Sequence, residues 1–123
     1  MNKNTINQEI NVAYEALAEV GIAKDGKIVK TFRGQISSFG AAITMGSLLS
    51  AIAFFSEDGG SGVPRSKLMD AILIVLKKKG IAKESFEKLF DYAKSSGEEV
   101  CKEEILNAAI ALKLSMNLYE LVK

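Results

Sequence analysis

From Gly34 to Ser56 the chain carries no charged residue, and this stretch constrains the fold more than any other. An uncharged run of this length has to be hidden, either by the rest of the protein or by lipid, because it is about long enough to span a bilayer. Within it Ile36, Phe39, Ile43, Leu48, Leu49, Ile52 and Phe55 recur at three- and four-residue spacing, which is helical. Gln35, Ser37, Ser38, Thr44, Ser47, Ser50 and Ser56 interrupt its apolar character, and no Trp or Tyr anchors its ends. The expectation is therefore a pair of central, mostly buried helices, one ending near Met45 and one near Phe55, broken at Gly46-Ser47. A membrane span is the weaker reading.

The remaining segments supply the elements that would cover this pair. Ile6, Ile10, Ala13, Leu17 and Val20 make an amphipathic stripe over about 5–20, with Thr5 as the expected N-cap and Gly21 as a left-handed stop. Residues 23–32 read as a connector with a turn at Asp25-Gly26, and 57–62 as a glycine-rich loop. Pro64 suits the first turn of a helix that buries Leu68, Ala71, Ile72, Val75 and Leu76 and stops at Lys77-Lys78-Lys79-Gly80. A short helix carries Phe86, Leu89, Phe90 and Ala93, and a last one is expected from Glu98 to about Leu121. No strand-length stretch alternates with period two. The predicted fold is all-α, a bundle of five or six helices in a single domain over 1–123.

With no histidine, the chain has no imidazole base, no Ser–His or Cys–His dyad and no His-ligated zinc. No serine lies in a G-x-S-x-G elbow, and the GGSG at 59–62 lacks the Gly-Lys-Ser/Thr of a phosphate loop. The acidic pairs Glu98/Glu99 and Glu103/Glu104 are expected to match the start of the last helix to its dipole rather than to do acid–base work. Cys101 is expected to be a small helix-surface thiol in a reducing compartment. The start of the chain lacks the basic and apolar regions of a secretory signal, so the expected location is the cytoplasm. These readings predict no catalytic residues, no metal, no cofactor and no small-molecule substrate.

Charge is nearly balanced overall, at +1, but it is segregated along the chain. Basic residues dominate 20–56 and 59–94, while both ends are acidic. Lys24, Lys27, Lys30 and Arg33 recur every third residue in the connector, where they are expected to be free to follow a phosphate backbone. No aromatic–basic motif of the kind that reads bases is present, so any nucleic-acid contact is expected to be sequence-independent. Ser37, Ser38, Ala41 and Thr44 form a face of small residues that lets another chain, or another helix of the same domain, approach closely.

The segment T-F-R-G-Q-I-S-S-F-G-A-A-I-T-M-G-S-L-L-S-A-I-A-F-F-S, 31–56, resembles the signature of the small subunit of the type III-B CRISPR effector, the Cmr complex. Phe32-Arg33 meets its aromatic–basic pair, Met45-Gly46-Ser47-Leu48 its break, and Ile52-Ala53-Phe54-Phe55 its tail. The segment E-I-L-N-A-A-I-A-L-K-L, 104–114, is similar to the family's closing helix, with Lys113 at the basic position. The break reads M-G-S-L where relatives have N-G-L, and the closing helix lacks the tryptophan that many carry.

The resemblance implies a small all-helical scaffold that stacks with copies of itself beside other Cmr-complex subunits and cradles crRNA and target RNA in antiviral defence. Cleavage would belong to another subunit. The equivalent subunit of the type III-A complex is likewise short, helical and basic. Lys24, Lys27, Lys30, Arg33 and Lys113 are the expected RNA-backbone contacts, and Ser37, Ser38, Ala41 and Thr44 the expected packing face. The alternative function is a helical protein–protein adaptor with no RNA role.

Overall fold

The computed structural model describes residues 2–60 and 62–123; Met1 and Ser61, the latter within the expected 57–62 loop, lie outside the described residues. Helix α1 runs over Lys3–Glu19. Its N-cap is Asn2, whose side-chain oxygen accepts the Thr5 N–H at 3.1 Å, so the cap falls three residues before the Thr5 predicted from the sequence. Gly21, at φ +80°, ends the turn as expected.

The uncharged stretch becomes two helices, α2 (Thr31–Met45) and α3 (Leu48–Phe55), broken where Gly46 and Ser47 predict. Both residues have a physical role in the break. A Cβ on Gly46 would lie 3.0 Å from the Ala42 carbonyl oxygen, a tight contact from which the backbone would have to shift, and Ser47 caps α3 by accepting the Ser50 N–H at 3.1 Å. Ile36, Phe39, Ile43, Leu48, Ile52 and Phe55 are all buried, which is how the protein hides a stretch that water would not. No helix among the described residues is long and apolar enough to cross a membrane.

Helices α4 (Ser66–Lys78), α5 (Leu89–Ala93) and α6 (Glu98–Met116) complete the bundle, with six helices among the described residues. The α4 helix begins after Pro64, whose carbonyl accepts the Lys67 N–H, and it closes on Lys77 and Lys78 before Gly80 at φ +73°. Lys78 also crosses to α1, where it pairs with Glu15 at 3.6 Å and with Glu19. The α6 helix lies against α1, α2, α4 and α5. Ala13, Ala16 and Leu17 of α1 and Ala108, Ala111 and Leu112 of α6 are fully buried, and the alanines let the two axes approach closely. Ser115 Oγ reaches the Ile10 carbonyl at 3.0 Å and the Ala111 carbonyl at 2.8 Å, tying α6 to α1.

The structure corrects four further expectations. Residues 23–32 are not a free connector: β1 (Ala23–Lys24) and β2 (Lys27–Val29) form a hairpin around Asp25 and Gly26, both at positive φ, as a two-residue hairpin turn requires. The last helix stops at Met116, and Glu120–Val122 becomes β3, parallel to β2, with Ile28 opposite Leu121 and Val29 opposite Val122. The α5 helix starts at Leu89 and leaves out Phe86, which the expected helix included. Cys101 is not a surface thiol but fully buried, its Sγ donating to the Tyr92 carbonyl at 3.4 Å. A compact helical bundle with a three-stranded sheet at one end is the result.

One core site is electrostatically unusual. Glu9 of α1 is fully buried, and its two carboxylate oxygens, like Oε2 of Glu104 on α6, have no hydrogen-bond partner among the described residues. Burial, reinforced by the Glu104 charge and partly offset by Lys79, raises the Glu9 carboxyl to about 7.

Candidate nucleic-acid interface

The hairpin sets the position of the first two predicted cations. Lys24 and Lys27 are direct cross-strand partners, an arrangement that repels like charges. Both line a cavity of about 310 Å³ at the end of the sheet, whose apolar walls include Ile22, Val29, Phe32, Pro64 and Val122. The third cation there is Lys67, from the first turn of α4. A Cβ on Gly21 would meet Lys67 Nζ at 3.3 Å and Lys24 Cε at 3.8 Å, so both lysine side chains run over the bare backbone of this glycine. Gly21 is favoured here for its positive φ, and its bare backbone leaves the lysine side chains room to settle over it.

Among the described residues no acid lines this cavity. The acid acting on Lys67 is Asp58, which is occupied in capping α4: its Oδ1 accepts the Ser66 N–H at 2.9 Å, and the hydrogen bonds from Ser66 hold its carboxyl below the usual range. Lys24, Lys27 and Lys67 make no ion pair within the described residues. Three cations over an apolar floor, two of them in direct repulsion, form a site that an anion stabilises.

The other predicted contacts are placed separately. Lys30 is exposed immediately before α2, and its backbone N–H donates to the Val122 carbonyl at 2.7 Å, so it belongs to the sheet rather than to a mobile linker. Arg33 is half-buried, and its Nε donates to Asn117 Oδ1 at 3.0 Å, joining α2 to the end of α6. Lys113 lies in a groove of about 240 Å³ between α2 and α6, together with Ser37, Ala41 and Thr44.

In that groove the hydroxyl protons are already committed, Ser37 to the Arg33 carbonyl at 3.1 Å and Thr44 to the Gly40 carbonyl at 3.0 Å. The groove therefore presents small side chains, acceptor oxygens and one cation beside the apolar Leu106 and Ile110. Ser38 does not join it; it lines a different cleft, with Phe54 and Arg65. Sequence reasoning thus missed Lys67, whose only sequence signal is membership of a basic region, and it missed the pairing of Arg65 with Phe54 altogether.

Compared with models of protein families, with characterised proteins and with solved structures, the chain matches none.

Proposed function

We propose that this chain is a non-catalytic structural subunit of a type III-B CRISPR (Cmr) effector, working in the cytoplasm. In this reading it stacks with copies of itself and with other subunits, and it holds guide and target RNA by their phosphates without reading sequence. The observation that carries the reading is the convergence of Lys24, Lys27 and Lys67 on one cavity that no acid lines. The family resemblance adds support, because its two segments, 31–56 and 104–114, are distant in sequence yet form the two walls of the groove that holds Lys113.

The mechanism is electrostatic. Each lysine that neutralises a phosphate releases a condensed counterion, so affinity falls with salt by a slope of about 0.7 per contact on a single strand. With a net charge of only +1, one copy binds weakly, and several copies on one RNA bind through effective concentration.

Titration of single-stranded RNA at several salt concentrations tests the RNA contact. The triple substitution Lys24→Ala, Lys27→Ala, Lys67→Ala is expected to reduce the salt slope by about 2 and to weaken every RNA sequence alike. Loss that depends on sequence would refute the phosphate mode. Co-purification of the tagged chain from its host, with and without nuclease, tests the assembly. Larger CRISPR subunits with a short RNA are expected; a single protein partner without RNA would establish the adaptor function instead.

A further inference from the structure

Phe54, at the end of α3, is 62% exposed, although an aromatic ring is costly to leave in water. It is nevertheless held in place. The Arg65 guanidinium lies 4.3 Å from its ring centroid, and Arg65 Nη2 donates to the Phe54 carbonyl at 3.1 Å. Phe55, which is buried, meets the same ring edge-on at 5.5 Å. These contacts fix an aromatic plate with a surface still open to solvent.

The plate belongs to a cleft of about 520 Å³ whose far wall is α2, through Thr31, Gly34, Gln35 and Ser38. Among the described residues nothing lies within 4 Å of a Cβ at Gly34, so that wall is open, and no acid lines the cleft. Gln35 Nε2 donates to the Val63 carbonyl at 3.2 Å, while Gln35 Oε1 and Arg65 Nε are buried without a partner among the described residues. Buried polar atoms are normally paired. Both atoms are covered, so what the cleft offers a ligand arriving from solvent is the Phe54 face and the Arg65 charge.

We propose that this cleft receives an unpaired nucleobase of single-stranded RNA, stacked on Phe54 and set against the Arg65 cation. The proposal rests on the RNA reading above and adds to it a contact with a base, made through the π-face and therefore tolerant of sequence. Stacking of this kind changes affinity by roughly 5- to 150-fold per base and, unlike the lysine contacts, contributes nothing to the salt slope.

The chain has no tryptophan, so Phe54→Trp introduces a single indole reporter at the plate. Titration is made with single-stranded RNA and with an abasic oligonucleotide of the same length and phosphate number. RNA is expected to quench the indole and the abasic strand to bind without quenching it. Phe54→Ala is expected to weaken RNA binding about ten-fold with an unchanged salt slope, and to leave abasic binding as it was. Because the ring is largely exposed, the fold should survive, which a thermal melt verifies. Equal quenching by both strands, or unaltered RNA affinity in Phe54→Ala, overturns the stacking site while the phosphate reading stands. Failure of the unsubstituted chain to bind either strand overturns both.

Discussion

Two clusters of like charge occur in this molecule under opposite conditions. Glu9 and Glu104 place carboxylate oxygens in the core between α1 and α6, without hydrogen-bond partners among the described residues. Lys24, Lys27 and Lys67 gather at the rim of an open cavity beside the sheet. In the core, water cannot screen the repulsion, and the cluster is relieved by a proton: Glu9 is raised to about 7, first by burial and then by Glu104. At the rim, water reaches the ammonium groups and screens their repulsion. A buried like-charge cluster therefore responds to pH, whereas an exposed one is available to a charged ligand and responds to salt.

The largest expected effect breaks the core half of this contrast. A carboxyl that holds its proton more tightly in the folded chain than in the unfolded one stabilises the fold fully below its ordinary value of 4.5, and that stability is lost as pH rises to about 7. The loss is on the order of 3 kcal/mol. Denaturant unfolding at pH 5 and pH 8 should show it, and Glu9→Gln should remove most of the difference; an unchanged difference would mean that Glu9 is not its source.

A smaller effect separates the two causes. Glu104→Gln deletes the neighbouring charge but leaves Glu9 buried, so it should reduce the pH dependence by less than Glu9→Gln does. Removal of the whole dependence would reverse the order of the causes and make the charge, not burial, dominant.

The smallest effect concerns the rim. Lys27→Glu turns the like pair Lys24–Lys27 into an opposite pair across the hairpin, which should stabilise the fold by about 0.2–1 kcal/mol while weakening RNA binding. High salt should abolish the stability gain. A variant that loses both stability and RNA affinity would show that Lys27 has a structural role that the hairpin geometry does not reveal.

Much of the helical architecture was legible in the sequence because it is written in local chemistry. Gly46-Ser47 marks a break because one residue lacks a Cβ and the other caps a helix. Lys77, Lys78, Lys79 and Gly80 mark an end through the helix dipole and a left-handed glycine. The sheet was not legible. Strands of two and three residues are too short for period-two alternation to register, so Asp25-Gly26 signalled the turn but not the strands beside it.

The pairing of β2 with Glu120–Val122 joins residues at opposite ends of the chain, and nothing in the segment 117–123 distinguishes a strand from a continuing amphipathic helix. Cys101 misled for a related reason: Glu98, Glu99 and Glu103 beside it are exposed, but the helix turns Cys101 itself toward Tyr92.

The candidate site divides in the same way. Lys24 and Lys27 were singled out from their spacing, and the hairpin brings them together. Arg33 and Lys113 were singled out equally, but one is tied to Asn117 and the other lies in a separate groove. Ser37, Ala41 and Thr44 share that groove, and Ser38 faces elsewhere.

By itself the sequence determined the helical class, the central uncharged pair of helices and the segregation of basic residues, because periodicity, caps and charge act over a few residues. Only the tertiary structure decided which cations meet at one cavity, where Phe54 finds Arg65 and which carboxyl loses water. Those outcomes depend on distances between residues far apart in the chain, set by packing.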